Sequence, residues 1–198
     1  MVTICLLRHG ETAYNAEGNK YCGRTDIDLT EKGLSQAKRM NELLRDYNFD
    51  AIFSSPLHRA KLTAQIASGR PEDVMTDDRL IEVDFGLWEG RTPEEFQAKD
   101  PESWNNWLND PENNKAGRRG ESAREVLQRL NSFYQDILKN YDGKTILIVG
   151  HNGVNRFFMS SKLGMPLKNY RRLVQDNSSL TLFKLINIEE IQLLKLNA

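Results

Sequence analysis

VTICLLRHGETAYN, residues 2–15, reads as a strand that stops on charge. Val2 to Leu7 is apolar and rich in β-branched side chains, as in a buried strand, and it breaks at Arg8, His9 and Gly10. A second run has the same form: Thr145 to Val149 is apolar and ends at Gly150, His151, Asn152 and Gly153. Between the two lie helical patterns. Thr30 to Tyr47 predicts a helix with Thr30 as N-cap and Leu34, Ala37, Met40, Leu43 and Leu44 on one face. Ala51 to Ser54 predicts a short strand. Ser55 and Pro56 then suit the N-cap and first position of a helix reaching about Ser68, with Ala60, Ala64 and Ala67 inward. Ser122 to Glu125 spells S-x-x-E, a capping box, ahead of a stripe formed by Val126, Leu130, Phe133 and Ile137. A helix with Val154, Phe157 and Phe158 inward should follow Gly153, and TLFKLI and IQLLKL near the end predict two more strands. Strands alternating with helices imply an α/β fold of three layers, a central mostly parallel sheet flanked by helices.

Residues 84–120 break the pattern. They are polar, yet hold all three tryptophans, Trp88, Trp104 and Trp107. Pro93 and Pro101 could each open a short helix. Aromatics of this size bury too much area to sit in a free tether, so the stretch reads as a helical cap insert over the sheet. The whole chain, 1–198, is then one domain carrying that cap.

Composition excludes several classes. A net charge of −1 argues against a general nucleic-acid binder. Cys5 and Cys22 have neither disulfide-framework nor zinc-site spacing. No stretch approaches the roughly 20 apolar residues of a membrane span, and the short run before Arg8 does not suit a signal segment. The expectation is a cytoplasmic protein with no membrane or nucleic-acid partner.

In a parallel sheet the carboxyl ends of the strands share one rim, where ligands bind. Topology therefore predicts that Arg8, His9, Arg59 and His151 converge. Two guanidiniums offer planar forks of donors, two imidazoles offer nucleophile, acid or donor, and helix N-termini add partial positive charge. Such a cup suits a phosphate dianion. It opposes a divalent metal, which guanidiniums repel, and His9 and His151 lack zinc-pair spacing. His58, beside Arg59, reads as a partly exposed helix residue. Lys115, Arg118 and Arg119 read as a solvated face.

LLRHGETAYN (Leu6–Asn15) resembles the opening motif of the histidine phosphatase superfamily, in its phosphoglycerate mutase-like branch. GRTDIDLTEKG, SSPLHRAKLTA, RLIEVDFGLWEG, GES and VGHNG are similar to that family's later blocks, in its order and over nearly the whole chain. The resemblance implies the phosphoglycerate mutase-like fold, a phosphohistidine intermediate on His9, and Arg8, Arg59 and His151 as the rest of the phosphate pocket. It implies that Glu82 is the proton donor, which physics alone did not separate from Asp77, Asp78 and Asp84. It also carries substrate-binding roles to Asn15, Cys22 and Gly23, and implies no cofactor and no metal. Asn152 stands where the family usually has glycine and could reach the leaving group or cap the next helix; Asn155 stands where an apolar residue is usual.

The same pocket serves mutases. The short chain favours hydrolysis of a small phosphorylated metabolite, because a mutase must close over its phosphoenzyme. In mutases of the branch a Trp-Arg-Arg stretch grips the substrate carboxylate, and here Trp104, Asn105 and Asn106 align with it. The FGLWEG block and the size resemble α-ribazole phosphatases of cobalamin assembly and broad-specificity phosphatases. The alternatives are a phosphoglycerate mutase or a non-catalytic phospholigand-binding module. A homodimer is compatible with the sequence.

Overall fold

The structure, a computed structural model, describes residues 1–198. Four parallel strands form its spine: β1 (Val2–Arg8), β2 (Ala51–Ser54), β3 (Val74–Thr76) and β4 (Thr145–Gly150). The tail adds β5 (Leu180–Leu185) and β6 (Ile191–Lys195), antiparallel, and the order across the sheet is β3-β2-β4-β1-β5-β6. The mostly parallel three-layer arrangement is as the strand–helix alternation requires. No helix is long and apolar enough to cross a membrane.

The helices are α1 (Ala13–Ala16), α2 (Glu31–Leu44), α3 (His58–Ser68), α4 (Pro93–Lys99), α5 (Pro101–Asn109), α6 (Ala123–Asn140) and α7 (Asn152–Lys162). Thr30 caps α2 by accepting from Gly33 N–H, and Ser122 with Glu125 closes the capping box of α6. Pro93 and Pro101 each occupy a first helical position. One core lies between the sheet and α6, α7 and the 84–120 insert; a smaller one lies under α2 and α3.

Two local expectations need correction, and one strand lies where the sequence carries no strand signal. The third helix begins at His58 with Leu57 as N-cap, not at Pro56, because the Ser55 hydroxyl accepts from Leu57 N–H and turns the chain first. Leu43 is exposed: at 54 % it lies off the buried face set by Gly33, Ala37, Met40 and Leu44. The three-residue edge strand β3 was not foreseen; VMT pairs with β2 only through tertiary register.

The insert is built on aromatics. Trp88 stacks on Phe96 at 4.9 Å and meets Trp104 and Trp107 edge-on, all four buried. Trp107 packs on Phe157 of α7 and donates to the Tyr170 hydroxyl, which ties 84–120 to the core behind the sheet.

Candidate active site

Strand register brings the two histidines together. Arg8 on β1 lies opposite Gly150 on β4, so the next residues, His9 and His151, leave the sheet side by side. His9 N–H donates to the Gly150 carbonyl at 3.1 Å, and the ring centroids are 5.1 Å apart. Gly10 makes this turn possible: a Cβ there would stand 2.6 Å from the Gly33 carbonyl oxygen, at the start of α2.

The orientation of His9 is set by one bond. Its Nδ1 lies 2.7 Å from the Gly10 carbonyl, which can only accept. Nδ1 therefore carries the proton, and Nε2 keeps its lone pair. Burial, then the nearby Arg59 and Arg8 charges, hold the imidazole well below the usual histidine range. His151 is shifted the same way by burial and Arg59, is fully buried, and makes no hydrogen bond at either nitrogen.

The two guanidiniums are aimed by backbone carbonyls. Arg8 donates to Gln175 O at 2.7 Å. Arg59, in the first turn of α3, donates to Thr25 O at 2.8 Å and Gly23 O at 2.7 Å. Each leaves a buried Nε without a partner. Burial, with the neighbouring Arg156 charge next, brings Arg8 down to about 10, so it stays charged at neutral pH. Buried donors left over in pairs, around a neutral imidazole, are a socket for an anion.

Glu82 faces this socket. Oε1 accepts from Val83 and Val154 N–H, and Oε2 accepts from Gly153 N–H, which leaves Oε2 one site unused. Gly153 is required: a Cβ on it would stand 2.7 Å from Glu82 Oε1. Arg129 of α6 braces the segment by donating to the Arg79 and Glu82 carbonyls and pairing with Glu121. Asp77 is engaged by Arg79, and Asp84 turns back to accept from Gly86 N–H.

One cavity of about 460 Å³ collects the site. Arg8, His9, Arg59, Glu82, Asn15, Cys22 and Asn152 line it; of the four acids from 77 to 84, only Glu82 does. Asn15 Oδ1 is occupied by Thr12 N–H and by Asn177, so its amide nitrogen is the group left for a ligand. Cys22, its thiol pushed up to about 11 by burial, donates to Thr25 O. Asn152 is the first residue of α7 and its buried Oδ1 has no partner, so it does not cap that helix. Gly23 does not line the cavity; its carbonyl holds Arg59. His151, expected in the pocket, is fully buried and does not line the cavity; its ring lies against that of His9. His58 is half exposed, beside Asp28, and outside the cavity. Lys115 pairs with Glu125, and Arg118 with Asp100 and Glu102, so that cluster is a solvated face away from the cavity.

Residues 4–198 match the model of the histidine phosphatase superfamily, branch 1. The chain belongs to this superfamily. It is a phosphomonoesterase of the type that works through a phosphohistidine, and it shares the phosphoglycerate mutase-like fold of its structural neighbours. Over its full length it is 36 % identical to phosphoserine phosphatase 1 of Hydrogenobacter thermophilus, covering 92 % of that protein. A mutant phosphoserine phosphatase from Entamoeba histolytica, solved in complex with phosphoserine, superposes with a TM-score of 0.90 at 31 % identity, over 100 % of this chain and 98 % of that one. The α-ribazole phosphatase of Shigella flexneri gives 0.85 at 31 % identity, over 99 % and 96 %.

Sequence reasoning missed the outer half of the cavity: Lys20, Tyr21, Arg156, Tyr170, Arg171 and the 174–177 stretch. Arg156 was within reach, since it follows Asn152 by four residues and shares its helix face. The rest belong to irregular segments and carried no spacing signal.

Proposed function

We propose that the chain hydrolyses a small phosphorylated metabolite at His9, with 84–120 acting as a cap on a single domain. The ester phosphate sits between Arg8, Arg59 and His151, with the Asn15 amide nitrogen donating to a phosphoryl oxygen. His9 Nε2 attacks phosphorus, the P–O ester bond breaks, and Glu82 gives its proton to the leaving alkoxide. Water then attacks the phosphohistidine, the P–N bond breaks, and Glu82 takes the water proton. Charge on the equatorial oxygens is met by donors already in place, the largest contribution expected in phosphoryl transfer. Asn152 lies where the leaving group departs.

The observation that carries this reading is the Nδ1–H bond of His9 to Gly10 O, which leaves a neutral Nε2 beside two buried, underused guanidiniums. Among the relatives, a phosphoserine phosphatase and an α-ribazole phosphatase support a small phosphate monoester as substrate. The test uses p-nitrophenyl phosphate with and without EDTA, and acid-sensitive, base-stable phosphoprotein trapped on rapid quench. Turnover should survive EDTA, and His9→Ala should remove both the trapped species and at least ~10³-fold of turnover. A phosphoenzyme that persists in His9→Ala would place the nucleophile elsewhere.

A further inference from the structure

The cavity holds more positive charge than one phosphate explains. Four arginines line it, Arg8, Arg59, Arg156 and Arg171, and none has a carboxylate ion-pair partner. Outside the cavity, Arg24, Arg70, Arg79, Arg118, Arg124 and Arg129 each meet at least one acid, while Arg39, Arg91, Arg119 and Arg172 have none. Lys20, also on the wall, is neutralised by Glu17 at 2.7 Å. Of the two acids lining the cavity, Glu82 is bound by three backbone N–H groups, and Asp176 is exposed and accepts from Asn197.

Arg8 and Arg59 belong to the phosphate floor. Arg156 and Arg171 are further guanidiniums on the same cavity wall, Arg156 being a neighbour of Arg8. Arg156 projects from α7, is partly buried, and makes no hydrogen bond to the protein; its Nε is buried and unpartnered. Burial and the proximity of Arg171 lower it from the ordinary arginine value, against the opposing pull of Tyr170 and Glu82, and no carboxylate lies within ion-pair distance of it. Arg171 is held rigidly. It stacks over Trp104 at 4.3 Å, and its Nε and one terminal nitrogen donate to the Tyr170 and Tyr21 hydroxyls at 3.0 and 2.6 Å. Those phenols spend two of its donors and leave the other terminal nitrogen for a ligand. Holding a guanidinium in place with neutral hydroxyls, and not with carboxylates, fixes its direction while keeping its charge available.

Resting on the reading of His9 as the phosphate-accepting centre, we propose that Arg156 and Arg171 form a second anion subsite that binds a carboxylate of the substrate. The preferred substrates are then phosphate monoesters of hydroxy acids, with phosphate and carboxylate a few bonds apart. One anion reaches the floor at His9 while the other meets the outer guanidinium pair. The carboxylate anchor comes from α7 and the segment after it. The insert does not supply it: Asn105 and Asn106 are exposed and lie outside the cavity.

Matched esters test this. Phosphoserine is compared with phosphoethanolamine, and 3-phosphoglycerate with glycerol 3-phosphate; each pair keeps the phosphate and changes the carboxylate. A charge-assisted contact to a guanidinium predicts a kcat/KM advantage of roughly 10–100-fold for the acid in at least one pair. Arg156→Met should bring that ratio close to one, and Arg156→Lys should restore part of it. Equal kcat/KM within both pairs for the unaltered protein would overturn the subsite, as would a ratio untouched by Arg156→Met. Should that variant not fold, the ratio of the unaltered protein still decides. Failure to hydrolyse any of the four esters, with no trapped phosphoenzyme, would instead sink the reading of His9.

Discussion

The floor at the sheet rim and the aromatic cluster of the 84–120 insert, the proposed cap, are both largely buried, but they treat polar atoms in opposite ways. In the cap, Trp88, Phe96, Trp104 and Trp107 fill the interior, and the charges of the insert sit outside in pairs such as Arg118 with Asp100. On the floor, Arg8 Nε, Arg59 Nε and both nitrogens of His151 are buried with no partner. Unmatched buried polar atoms are costly to leave, so a folded chain that keeps four of them in one place, at least three of them donors, is holding them for a ligand. The cap stabilises; the floor is a locus of stored electrostatic cost, tolerated for what it binds.

That contrast can be broken from either side. The largest effect is expected in the cap: Trp88→Ala removes a fully packed aromatic and should cost about 3–5 kcal/mol of stability by denaturant unfolding. Inorganic phosphate should still bind the folded variant, by calorimetry; loss of phosphate binding would mean that cap and floor are not separable. On the floor the loss falls on catalysis. Arg59→Met should cost roughly 3–4 kcal/mol of transition-state stabilisation in kcat/KM with little change in melting temperature, because relief of a buried charge near Arg8 offsets the lost bonds to the Thr25 and Gly23 carbonyls. Arg118→Ala, run beside it, should move neither quantity. A melting temperature that falls with Arg59 would show that the guanidinium is structural.

The smallest effect sharpens the comparison through pH. His9 and His151 are held neutral in the native state, well below the histidine value of about 6.5 expected of the unfolded chain. A depressed native value means that stability is full above about pH 6.5 and declines as pH falls, since the unfolded chain takes up protons that the native floor refuses. The slope should be on the order of 1 kcal/mol per pH unit for each histidine between pH 6 and 5. Denaturant titrations across that window should show it, and His151→Gln should remove about half. A flat profile would mean that the floor accepts protons after all.

Much of this was legible in the sequence. β1 and β4 were readable because unbroken apolar runs ending on Arg-His-Gly and Gly-His-Asn-Gly leave few alternatives. The capping residues of α2 and α6 were readable because capping is local chemistry. Arg8, His9, Arg59 and His151 could be assigned to one rim because parallel strands share a carboxyl edge. Glu82 came only with the family resemblance: among four nearby acids, selection depends on which one meets the N–H groups of Gly153 and Val154, some seventy residues away.

What tertiary structure alone decided is the half of the cavity made from irregular chain. The tautomer of His9, the carbonyl pair that aims Arg59, and the placing of Arg156 and Arg171 on one cavity depend on contacts between segments with no shared periodicity. Periodicity records which face of an element is buried. It carries no information on which distant carbonyl or guanidinium will stand opposite, because that is fixed by packing and register across the whole sheet.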